Sequence, residues 1–345
     1  MIELKNDALA FSFPSVHKDA RLSIGFQRTL RIPDDGSDYP LPPGLGHFPL
    51  RHIDDHAENV PAQWIRQGGV MFPMYQSEAM WLYFSANYVP GHGVPYPFAI
   101  KIAAGKIDAV TGKEWTHSLH RRPQDYLVAP DQPWLDGFSV EKGVIRQFVA
   151  MPLGSGYSAE EQIAGKGEYG GLQIIVYPMK REVFERRFPK YDRSRLEFEE
   201  GMHPLHVDAC ALGPDMGLAP GGRMKQEIYA DPFDLDDWDA EHSSRCFVHI
   251  TNSIVWRAIT GEQPPTVPPT SKEYTQAGLP WFEYYDDSAT ALDGADILRH
   301  LKSVMQMGKE KRDVPLPENE TVLAENIIQL RRKLKKDQVR EGEWV

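Results

Sequence analysis

Apolar and polar positions alternate in short runs through much of the first 180 residues. Residues 8–14 (ALAFSFP) and 22–32 (LSIGFQRTLRI) place β-branched and aromatic side chains at strand spacing. The turn-rich stretch 33–46 (PDDGSDYPLPPGLG) separates them from a second pair, 68–75 (GGVMFPMY) and 78–85 (EAMWLYFS). In 98–110 (FAIKIAAGKIDAV) the alternation flanks Ala-Gly-Lys, which predicts a hairpin. Residues 126–128, 134–140 and 144–151 continue the short strands. Strands of this length between Gly, Pro and Asp turns predict a sandwich or barrel.

The stretch 144–180 (VIRQFVAMPLGSGYSAEEQIAGKGEYGGLQIIVYPMK) closes this region as strand, glycine turn, short helix, glycine loop and strand. Gly154, Gly156 and Ala159 fit the loose dinucleotide pattern G-x-G-x-x-G/A, and Glu182 stands where a ribose-binding acid would be expected. Pro152 interrupts the approach, however, and few residues are available for helix before Gly165. Glu160 and Glu161 would compete with a pyrophosphate for the helix N-terminus. The structural account is stronger: Ser158 caps the helix and Glu161 completes a capping box.

Beyond 180 the pattern changes. Residues 181–201 are dense in charge and read as a linker with some helix. Residues 224–229 and 246–251 read as strands, and 253–260 (SIVWRAIT) as a short helix stopped by Gly261. QPPTVPPT, 263–270, is an extended connector. A second helix begins at Ser271 and ends before Gly278. In the tail, Leu323, Ile327, Leu330 and Leu334 recur at helical spacing ahead of a basic run, which predicts an amphipathic helix over 318–340. The expected architecture is mainly β with an α+β second part. It comprises a β-sandwich or barrel over 1–180, a linker over 181–201, a small α+β domain over 202–290 and a helical tail over 291–345.

Charge and cysteine content narrow the function classes. The formal net charge of −11 over 345 residues disfavours a broad nucleic-acid or anionic-membrane surface, because both require positive potential. Two cysteines, Cys210 and Cys246, cannot build a disulfide scaffold. The N-terminal residues lack the basic and apolar segments of a signal peptide, and nothing resembles a membrane-spanning run. A soluble, cytoplasmic protein is therefore expected.

Candidate chemistry falls into two groups. Histidines occur as close pairs at His52 and His56, His117 and His120, and His203 and His206. None fits the zinc-protease helix, since Ile53 stands where its glutamate would be. An extended chain would put His206 and Asp208 on one face, so His203, His206 and Asp208 form a candidate site for a divalent metal such as zinc. The second group mixes ring faces with planar hydrogen-bonding groups: Tyr75, Gln76, Trp81, Gln132, Trp134 and Asp136. Rings stack on apolar faces while amides and carboxylates fix orientation, which suits sugars or peptide segments. The competing account is that most of these tryptophans pack in the core.

The stretches QRTLRIPDDG, LPPGLG, PMYQSEAMW, IRQFVAMPLGSGYSAEEQ and RMKQEIYADP together resemble a widespread uncharacterised family of bacterial and fungal proteins. Its members sometimes carry an integral-membrane label that the hydropathy of this chain opposes. The resemblance brings no reaction, ligand or residue role with it.

The sequence therefore favours non-catalytic recognition of a carbohydrate or protein partner through exposed aromatic and amide groups, with no cofactor. The alternative is a metal-assisted hydrolase built on His203, His206 and Asp208. Neither nucleic acid nor membrane is expected as a partner, and the tail helix offers a surface for self-association.

Overall fold

The computed structural model describes residues 1–190, 215–286 and 289–331. It is mainly β, with few helices and, among the described residues, no closed barrel. A first sheet runs in the order Ile2–Lys5, Ala8–Ser12, Arg21–Thr29, Ala79–Ala86, Val144–Pro152, Met216–Lys225 and Asp38–Tyr39. Trp134–Leu135, Gly137–Glu141 and Gly44–His47 pair onto it off this path. A second sheet runs Ile107–Asp108, Phe98–Ala104, Leu172–Pro178, Ser244–Asn252, Val70–Met74 and Arg51–His52, with Leu127–Ala129 beside Phe98–Ala104.

The alternation seen in the sequence becomes a shared core. Leu22, Ile24 and Phe26 from the first sheet and Phe72, Ile100, Ile174, Val176 and Val248 from the second belong to one buried hydrophobic cluster. Phe72 joins the two layers directly, with ring centroids 5.2 Å from Phe26 and 4.7 Å from Phe48. The hairpin over 98–110 forms with Ile107 opposite Ala104. Ser158 caps the six-residue helix Ala159–Ala164, and the Glu161 carboxylate accepts from the backbone of Ser158 and Gly156 at 3.1 and 2.7 Å. The glutamate thus occupies the donors that a pyrophosphate would need.

The strands Met216–Lys225 and Ser244–Asn252 enter the same two sheets as strands from the first 180 residues. Position 180 therefore separates neither sheet. The expected linker begins as the helix Arg181–Arg187, which buries Val183 and Phe184. The Pro-rich connector is held to the first-sheet strand Arg21–Thr29 by a hydrogen bond from Arg28 Nη2 to the Thr266 carbonyl at 2.7 Å, and to the turn after the second-sheet strand Val70–Met74 by one from the Tyr75 hydroxyl to the Pro265 carbonyl at 2.8 Å.

The tail departs from the expected helix. Ile327–Arg331 is a strand paired in parallel with Trp281–Tyr285, in the register Trp281 to Ile327 and Tyr284 to Leu330. The helical stripe in the sequence was compatible with either state, because the β-branched Ile327 and Ile328 suit a pleated surface beside an aromatic strand. Leu334 and the basic run beyond Arg331 lie outside the described residues. Among the described residues, no helix is long and apolar enough to cross a membrane.

Candidate ligand-binding cleft

Strand periodicity puts Trp81 and Tyr83 on one face of Ala79–Ala86, and pairing sets Trp134 opposite Tyr83. The Tyr83 ring lies over Gly25, where any Cβ would fall 2.1 Å from the ring. Only glycine permits this close approach. Trp81 stands opposite Gln27, and a Cβ on Gly44 would meet Trp81 Cζ2 at 3.2 Å and Gln27 Oε1 at 3.4 Å. Trp134 meets Tyr284 edge-on at 4.7 Å.

These elements enclose a cleft of about 190 Å³. Trp81, Trp134 and Asp136 form one side, the 41–44 loop a second, and Phe282 with Leu330 a third. Both tryptophans are partly exposed. Trp81 Nε1 and Gln27 Oε1 are buried and have no hydrogen-bond partner, so a donor and an acceptor stand unpaired near Gly44. Isolated buried polar atoms of this kind are costly, and a ligand or water that pairs with them recovers that cost.

Asp136 supplies a buried carboxyl. It is 3% exposed, and burial pushes its carboxyl up to about 7, opposed by hydrogen bonds from the Gln226 and Trp134 side chains. Gln226 donates to Oδ2 at 2.6 Å and accepts from the Asp136 backbone at 3.1 Å, which fixes the carboxyl plane.

The other residues of the sequence-based set lie elsewhere. Tyr75 is buried, its hydroxyl committed to the connector. Gln132 is also buried and acts as a staple, donating to the Trp134 and Glu227 carbonyls and accepting from the Tyr229 backbone. Gln76 is exposed and faces a different cavity. Gly44, Phe282 and Leu330 join the cleft without having been singled out as binding residues, and Gln27 stands beside Trp81 behind Gly44. The alternation of 22–32 was visible, but its meeting with the cleft residues depends on long-range pairing.

His203, His206, Asp208 and Cys210 lie outside the described residues. Among the described residues, no group of three or more His, Cys, Asp or Glu is placed to hold a metal ion. His52 and His117 line a broader groove of about 730 Å³, where Arg66, Lys106 and Arg245 are interspersed with Glu3, Asp54 and Glu114. His120 is oriented by Asp125 at 2.7 Å, and the same carboxylate holds the buried Lys101 at 2.6 Å. Burial pushes the Cys246 thiol up to about 12, far from a reactive thiolate.

No family model, curated protein or solved structure matches the chain, so the geometry of the cleft carries the functional argument.

Proposed function

We propose that the protein is a recognition module whose aromatic cleft takes one ring of a carbohydrate. The observation that supports this reading is the combination of two partly exposed tryptophans with an unpaired indole N–H and an unpaired amide carbonyl. A sugar ring has a C–H face that stacks on indole and hydroxyls that both donate and accept. A cleft of about 190 Å³ is smaller than the roughly 300–1,000 Å³ typical of drug-sized ligands, which favours a single ring over an extended peptide. Hydrolysis by paired carboxylates needs two such groups across the cleft. Asp136 is the carboxylate among the described residues lining this one. Recognition without bond cleavage is therefore the favoured activity.

Glycan screening followed by calorimetry tests the reading. A bound sugar should lose tenfold or more in affinity with Trp134→Ala. Trp81→Phe, which keeps a ring but removes the N–H, should cost less while leaving the fold intact. Failure of every glycan, with capture of a protein weakened by the same substitutions, would shift the reading to a protein partner.

A further inference from the structure

Arg31 is 3% exposed, and its guanidinium is poorly matched by its surroundings. Nη2 donates to Asn319 Oδ1 at 2.6 Å, but Nε and Nη1 are buried without an acceptor. Glu318 Oε2 stands 4.0 Å from Nη1, too far for a hydrogen bond, and is itself buried and unpaired. Asp34 contributes favourable charge, but its Oδ2 accepts from the Met305 backbone at 2.9 Å and its Oδ1 faces Arg146 at 3.8 Å. A buried arginine is best stabilised by a carboxylate that meets two of its N–H groups together. Here it has neighbouring negative charge without that fork.

Asn319 also lines a cavity of about 480 Å³, together with Tyr157 and Lys309. The remaining walls are largely apolar, with Met151, Val304 and Leu316 among them. The volume falls within the roughly 300–1,000 Å³ of small-molecule sites. Asn319, at the end of the turn Pro317–Asn319, links the two, lining this space while accepting from Arg31, and a hydrogen bond from the Tyr157 hydroxyl to Asp313 pins the segment leading into that turn. The cavity shares no lining residue with the aromatic cleft.

We propose that this cavity binds a small carboxylate with an apolar body, its head taking the place beside Arg31 that Glu318 and Asn319 now fill. The body lies against Met151, Val304 and Leu316, and Lys309 adds a second cation near the mouth. Glu318 is then an internal competitor, present at ion-pair distance without the contacts of a true ligand. A monocarboxylate fits better than a dianion, because Asp34 and Asp313 already bring negative charge to the region.

Calorimetric titration of the full chain with octanoate, and with octan-1-ol as the uncharged control, tests this. Octanoate should bind at least tenfold more tightly than the alcohol. Glu318→Gln should tighten octanoate several-fold by removing the competing charge. Arg31→Lys, which keeps the charge but loses the fork, should weaken octanoate by tenfold or more in protein whose thermal unfolding shows it to be folded. If Arg31→Lys does not fold, Glu318→Gln decides alone. Equal affinity for acid and alcohol, no binding of either, or an unchanged or weakened response in Glu318→Gln would overturn the proposal.

Discussion

Burial raises the Asp136 carboxyl to about 7 from an ordinary 3.8. Between those values the folded chain holds a proton that the unfolded chain has released, so this residue's contribution to stability falls as pH rises through that window. His249 acts in the opposite sense: burial lowers its imidazole from 6.5 to about 4, so its contribution is lost as pH falls from about 6.5 towards 4. The two effects separate in a difference measurement. Asp136→Asn should gain stability relative to the natural chain as pH rises from 4.5 to 7.5 in urea titrations. A difference that does not change with pH would contradict the burial argument. At the same scale, Arg28 and Glu78 form a buried pair with Nη2 and Oε1 at 2.6 Å. Glu78 also accepts from the Tyr75 backbone at 2.9 Å. Glu78→Ala leaves a buried guanidinium without its carboxylate and should cost about 3–5 kcal/mol, read from the shift in urea midpoint.

At the scale of elements, local chemistry was legible wherever it was self-contained. Ser158 and Glu161 announced a capping box from their spacing alone, and Ala-Gly-Lys announced a hairpin. The tail was not legible in this way. Its stripe of Leu and Ile met a helical template, while the observed strand depends on the partner Trp281–Tyr285 more than forty residues away. The two states give opposite signals in solution. The Cα chemical shifts of residues 327–331 should lie below their random-coil values, as in a strand, whereas shifts above them would restore the helix. The same long-range pairing explains the partial reading of the cleft. Trp81, Trp134 and Asp136 could be selected by residue type, but Gln27 stands beside Trp81 only because Arg21–Thr29 pairs in register with Ala79–Ala86. Residue type alone also failed to separate Gln132, a buried staple, from a side chain free to meet a ligand.

At the scale of the whole molecule, the sheets draw on both sides of the stretch 191–214. Met216–Lys225 lies between Val144–Pro152 and Asp38–Tyr39, and Ser244–Asn252 lies between Leu172–Pro178 and Val70–Met74. A fragment ending at residue 190 would leave both neighbours of each of these strands open. It should therefore lack the cooperative thermal transition of the full chain, and a sharp transition at a similar Tm would show that the first part folds alone. The composition shift near 180 was visible in the sequence, but strand order was not, because pairing between distant strands leaves no local signature.

The cleft joins these scales: glycines that admit rings, strands that align them and a tail strand that supplies one wall. Calorimetric titration of the natural chain and Trp134→Ala with a sugar selected by glycan screening tests its proposed role most directly. Saturable binding that weakens at least tenfold in a variant with unchanged Tm is the predicted result. A sugar bound equally well by both proteins, or no sugar bound at all, would contradict it.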